Sequence, residues 1–107
     1  MNTDVMLIVT TCPDEAVAAG LGTALLERRQ AACVSRLPGL HSSYHWEGRM
    51  TEDTEVLVLI KAPADRYAEI EASIRELHPY DVPEIIGLPV TAGLPDYLAW
   101  VVAETAP

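Results

Sequence analysis

Glu76-Leu77-His78-Pro79-Tyr80-Asp81-Val82-Pro83-Glu84-Ile85-Ile86-Gly87-Leu88-Pro89 is the stretch that decides the fold. It begins as the last turn of an amphipathic helix, with Leu77 extending the apolar stripe Tyr67, Ile70, Ile74. Pro79 stops that helix, because a proline holds the residue before it, here His78, away from helical geometry. Pro83 stiffens the connector again, and Glu84 to Leu88 reads as a short buried strand that Pro89 closes. Two prolines with no glycine before Gly87 leave the connector few conformations. The same few residues carry His78, Tyr80, Asp81 and Glu84, groups that donate, accept or bind a cation. A rigid connector loaded with such groups is a functional candidate; it can equally serve only to end a helix and start a strand.

Working outward, the helix before this stretch spans about Ala64 to Leu77. Ahead of it, Glu55 to Lys61 is a strand whose Val56, Val58, Ile60 and Leu57, Leu59 make both faces apolar. Gly48 to Asp53 is polar and turn-like. Ala32 to Arg36 is a strand that breaks at Leu37-Pro38-Gly39 and resumes as His41 to Glu47; such a break predicts one long strand with a bulge or bend. Near the start, Val5-Met6-Leu7-Ile8-Val9 is a continuous apolar run that suits a strand buried on both faces. A helix follows, with Cys12 near its N-cap, Pro13 near its first position and acids in its first turn. It runs to about Gln30 with Val17, Ala18, Leu21, Ala24 and Leu25 on one stripe. Gly20 and Gly22 inside it cost about 1 kcal/mol each relative to alanine, and they point to a close neighbour. Gly93-Leu94-Pro95-Asp96 opens a short final helix with Tyr97, Leu98, Trp100, Val101 and Val102.

The order strand, helix, strand, strand, helix, strand, helix predicts a single α+β domain over residues 1–107. With right-handed crossovers it is the ferredoxin-like βαββαβ antiparallel sheet, with a long bent hairpin and an extra C-terminal helix. Two helices cover one face of such a sheet, yet three of its four strands are apolar on both. A soluble monomer rarely leaves so large an apolar face open, which predicts self-association.

Sixteen Asp and Glu against seven Lys and Arg give a formal net charge of -9, which argues against a nucleic-acid partner. No apolar run is long enough to span a bilayer, and Asp4 interrupts the N-terminal segment where a signal peptide would be apolar, so a cytoplasmic protein with no membrane partner is expected. Cys12 and Cys33 are an isolated pair without zinc-finger spacing or a disulfide framework.

The chain resembles the CutA family of divalent-cation tolerance proteins. The matching stretches are Thr10-Thr11-Cys12-Pro13-Asp14-Glu15, Gln30-Ala31-Ala32-Cys33-Val34, Leu37-Pro38-Gly39 and Ser43-Tyr44-His45-Trp46-Glu47-Gly48. They continue with Glu55-Val56-Leu57-Val58-Leu59-Ile60-Lys61, His78-Pro79-Tyr80-Asp81-Val82-Pro83-Glu84-Ile85 and Pro95-Asp96-Tyr97-Leu98-Ala99-Trp100. The resemblance runs through nearly the whole chain in order. It implies a homotrimer of ferredoxin-like subunits with PII-like architecture, and a link to copper and other divalent metals. The copper ligands of some members are a cysteine and two consecutive histidines; these fall on Thr10, Leu77 and His78, so the resemblance carries over only His78.

Cys12 lies two residues past Thr10, on the same strand face if the strand continues, and Cys12 with His78 is the candidate metal pair. Two ligands make a weak site unless Glu84, water or a neighbouring subunit completes it; Cys12 can otherwise be a small buried capping residue. His41 and His45 are about 13 Å apart in a strand and do not share one ion within a chain. Cys33, opening an apolar strand, reads as core. No phosphate loop or nucleophile-base set is present, so no catalytic residues are assigned and the chain is not read as an enzyme. Tyr44, Trp46, Glu47, Lys61, His78, Tyr80 and Glu84 are expected to line a cleft between subunits. There they satisfy one another across the interface, bind a small ligand in the manner of a PII-like regulatory module, or do acid-base work through His78 and Glu84. The leading expectation is a trimeric divalent-cation tolerance protein, with copper or another divalent cation as its only cofactor.

Overall fold

In the computed structural model, which describes residues 2–107, the elements are β1 (Val5–Cys12), α1 (Glu15–Glu27), β2 (Cys33–Trp46), β3 (Arg49–Pro63), α2 (Tyr67–Leu77), β4 (Ile85–Pro89) and α3 (Pro95–Glu104). The strands form one antiparallel sheet in the order β2-β3-β1-β4, the expected ferredoxin-like topology. Ile8 pairs with Ile60 on one side and Gly87 on the other, so β1 lies between β3 and β4. No helix among the described residues is long and apolar enough to cross a membrane.

The period-two alternation divides the sheet residues between two faces. Ile8, Thr10, Cys12, Val56, Val58, Ile60 and Ala62 point to the helices and are buried against Ala18, Leu21, Leu25, Ile70 and Ile74. Each fully buried aliphatic side chain there contributes roughly 1.5–3 kcal/mol. The other face carries Val9, Leu57 and Leu59, half-buried, with Leu37, Ile86 and Leu88 exposed. α3 covers only the end of it near the start of β1, where Val5 and Val101 are buried.

Several boundaries differ from the sequence expectation, each for a local reason. Cys12 is the last residue of β1 rather than a helix cap. Asp14 caps α1 instead, its Oδ1 accepting the Val17 N–H at 2.8 Å, because a carboxylate is a far better acceptor than a thiol. α1 stops at Glu27 rather than near Gln30, since Arg29 adopts a left-handed conformation with φ 57°. Gly22 has the expected close neighbour, as a Cβ there would lie 3.3 Å from Val34 Cγ1; Gly20 faces open space.

The bend at Leu37-Pro38-Gly39 is present as a register shift between Leu37 and Leu40, with Gly39 at φ 84°. The polar segment Gly48 to Asp53, however, is almost all strand. Glu47 and Gly48, both left-handed at φ 51° and 76°, make a two-residue turn that pairs Trp46 directly with Arg49. The β2–β3 hairpin therefore extends well past β1 and lengthens the molecule to 45 × 28 × 23 Å. Cys33 is half-buried on the face away from the helices, because its neighbour Val34 takes the core position. Leu77 ends α2 exposed rather than within the buried stripe.

Candidate functional site

β1 ends at Cys12, which pairs with Val56. Glu55, the next residue along β3, has no β1 neighbour, and the connector after α2 brings Tyr80 to that place. The Tyr80 hydroxyl donates to Glu55 Oε2 at 3.4 Å. Glu55 is only 7% exposed, an unusual position for a carboxylate with no cationic partner among the described residues. Two residues back on the same face of β3, Asp53 accepts a hydrogen bond from the Tyr44 hydroxyl.

These groups perturb one another. The hydrogen bond to Asp53, then desolvation and the Asp53 and Glu55 charges, push the Tyr44 phenol up to about 12. Burial, then Glu55 and Asp53, raises Tyr80. Burial, then Asp14 and Glu55, pushes the Cys12 thiol up to about 11. The cluster thus holds its phenols and its thiol protonated beside these carboxylates.

His78 completes the cluster from the helix side. Its ring is buried, with Nε2 2.8 Å from the Thr11 carbonyl oxygen and Nδ1 accepting the Tyr80 N–H at 3.1 Å. In this chain the candidate pair does not fit a metal. Both ring nitrogens are engaged, the Cys12 thiol is disfavoured as a thiolate, and thiolate is the ligating form. Among the described residues no group of three or more His, Cys, Asp or Glu is arranged to hold an ion.

Of the other expected cleft residues, one chain brings only Tyr44 and Tyr80 to this cluster. Lys61 lies six residues along β3, donating to Ser35 Oγ at 2.6 Å. Trp46 is at the end of β2 and Glu47 in the hairpin turn, while Glu84 is exposed just before β4. Sequence reasoning missed Glu55, Asp53 and the Thr11 carbonyl; a lone acid opening the apolar run Val56 to Ile60 is the one signal that marks Glu55. Two hollows of the surface, of about 440 and 580 Å³, lie elsewhere, between α3 and the segment from Asn2 to Val5, with Pro63 to Arg66 on the rim of the smaller one. Their linings hold no thiol or imidazole, whereas the raised Cys12, Tyr44 and Tyr80 gather at the Glu55 cluster.

Comparison with known proteins agrees with this architecture. The model of the CutA1 divalent ion tolerance protein family matches residues 6–104. The divalent-cation tolerance protein CutA of Pectobacterium atrosepticum is 44% identical over 101 residues, which are 94% of this chain and 92% of that protein. The Thermus thermophilus protein of the same name is 41% identical over 99 residues, 92% of this chain and 96% of its own. The crystal structure of CutA from Xylella fastidiosa superposes with a TM-score of 0.95 at 40% identity, covering 97% of this chain and all of that one. From the first strand to the last helix, then, sequence and fold agree, and the chain belongs to the CutA1 divalent ion tolerance family.

Proposed function

We propose that the chain acts as a homotrimeric divalent-cation tolerance protein in which a neighbouring copy closes the Glu55 cluster into a cleft for divalent cations, copper among them. The position of Glu55 carries this reading. It is a buried carboxylate without a cationic partner among the described residues, and it shares with Leu57 and Leu59 the face of β3 that α1 and α2 leave uncovered. A neighbour that covers the apolar face buries this carboxylate further. An unpaired charge there costs several kcal/mol, which an arriving cation offsets. The net charge of -9 favours cation approach over anion approach. A second reading, a PII-like regulatory module taking a small ligand in the same cleft, draws support from Tyr44 and Tyr80, which present aromatic surface beside the carboxylates.

Light scattering at low micromolar concentration tests the assembly; a mass near three chains is expected, and one near one or two chains refutes it. Calorimetry with Cu(II) and Zn(II) tests the cleft: Glu55→Gln is expected to weaken binding at least tenfold. Equal affinity in that variant removes Glu55 from the site, and an absence of heat with wild type, followed by a metabolite-induced thermal shift, favours the second reading.

A further inference from the structure

Cys12 and His78 are the side chains that first suggest a soft metal site, and the geometry gives His78 a different task. We infer that His78 is the positioning residue of the cluster: its ring fixes Tyr80 beside Glu55 and keeps no nitrogen for a metal. The inference builds on the cleft reading above, and its test separates the two.

The backbone of His78 is fixed first. Its N–H closes α2 by donating to the Ile74 carbonyl at 2.8 Å, and Pro79 holds it extended at φ -82°, ψ 137°. The ring is then held at both ends. A carbonyl oxygen can only accept, so Nε2, 2.8 Å from Thr11 O, carries the proton. Nδ1 accepts the Tyr80 N–H at 3.1 Å, so it carries the lone pair. The imidazole is therefore neutral, in the Nε2–H tautomer, with both nitrogens used. A metal binds through a free nitrogen lone pair. Taking Nδ1 would orphan the Tyr80 N–H, and taking Nε2 would require loss of its proton and of the tie to β1.

What these bonds achieve is visible two residues on. The Nδ1 bond bridges Pro79 and closes the turn at Tyr80, whose ring packs against the imidazole at 4.7 Å between centroids, tilted by 54°. The phenol then projects past the end of β1, within 3.4 Å of Glu55. The Nε2 bond anchors this unit to β1 across 67 residues of sequence. His78 is 6% exposed, so water does not compete for either nitrogen.

Long-range nitrogen-detected NMR of the imidazoles decides the assignment in the metal-free protein, with His78→Gln identifying the signal. A protonated Nε2 and an unprotonated Nδ1 are expected, unchanged through a Zn(II) titration. The Tyr80 amide should exchange slowly in wild type and at least tenfold faster in His78→Ala. His78→Gln, whose amide can still donate to Thr11 O and whose oxygen can accept, should keep the Tyr80 amide protected and the Zn(II) affinity within threefold of wild type. An Nδ1–H tautomer or an imidazolium in the metal-free spectrum overturns the inference, as does a ring-nitrogen shift on adding Zn(II). So does a tenfold loss of Zn(II) affinity in His78→Gln. A wild-type protein that binds no Zn(II) and no Cu(II) counts against the cation cleft, while the metal-free spectrum still decides the role of the ring.

Discussion

Lys61 donates from Nζ to the Ser35 hydroxyl across 2.6 Å, on the sheet face turned away from α1 and α2. Cys33 Sγ lies 3.9 Å from the same nitrogen, and no carboxylate among the described residues pairs with it. The hydroxyl is thus the main acceptor for a half-buried ammonium in apolar surroundings. Ser35→Ala is expected to lower the unfolding free energy by about 1.5 kcal/mol, the lower end of the range for a hydrogen bond to a charged group, because this ammonium is only half-buried. Urea denaturation measures it, and an unchanged midpoint would show that water replaces the hydroxyl without cost.

Thr10 presents the opposite case. Its Oγ1 is fully buried on the core face, between Val58 and Ile85 in the flanking strands, and has no hydrogen-bond partner among the described residues. A buried hydroxyl without a partner costs about 1–3 kcal/mol. Valine has nearly the same shape and an equal preference for strands, so Thr10→Val should stabilise the protein by about 1 kcal/mol. Thermal unfolding of the two proteins side by side checks this; a lower midpoint for the variant would mean that the hydroxyl has an acceptor.

Burial, with the Asp14 and Glu55 charges, raises the Cys12 thiol from an ordinary value near 9.0 to about 11. The folded state therefore holds this proton more tightly than the unfolded chain. Its contribution to stability is fully present below about pH 9 and is lost as pH rises to about 11. At about 1.4 kcal/mol per pKa unit the loss is on the order of 1–3 kcal/mol. Other groups titrate in the same window, so the measurement is the difference between wild type and Cys12→Ala in unfolding free energy from pH 8 to 11. A wild-type curve that falls more steeply is expected; parallel curves would show that the thiol ionises as readily folded as unfolded.

Much of this was legible in the sequence, and each part that was not has its own physical reason. Pro79 and Pro83 marked the connector, Pro38-Gly39 marked the bend, and the two-sided apolar strands marked the uncovered face, because each is a local or periodic signal. Asp14 and Cys12 were misassigned by two residues, since Pro13 suits a helix start and the better cap lies just beyond it. Gly48 to Asp53 looked like a loop because its residues are polar; a solvated hairpin arm is polar too, and only the turn at Glu47 and Gly48 shows how short the loop is. Cys33 changed faces because the sequence alone leaves the alternation of β2 free to fall either way. Glu55 is buried by Tyr80, which arrives from 25 residues away, and no local pattern records that contact.

The hairpin arm offers the sharpest test of assembly. Trp46 is 61% exposed and pairs with Arg49 at the end of β2, next to the turn. By the alternation of β2 it shares a face with Ser42 and Tyr44, and beyond the bulge this face continues into that of Glu55 and Leu57. Within one chain so exposed an indole contributes little to the core, so an aspartate there should leave the subunit folded. In an assembly the indole has a different value, because large aromatic side chains dominate contact energetics and a carboxylate in the same place would be buried without a partner. Trp46→Asp is therefore expected to shift the mass measured at low micromolar concentration from about three chains toward one, with far-UV circular dichroism retained. Loss of each such anchor typically costs 2 kcal/mol or more, at least a thirtyfold change in the association constant at each contact. A variant that keeps both the trimeric mass and the wild-type unfolding temperature would show that the arm does not reach a neighbouring copy through Trp46.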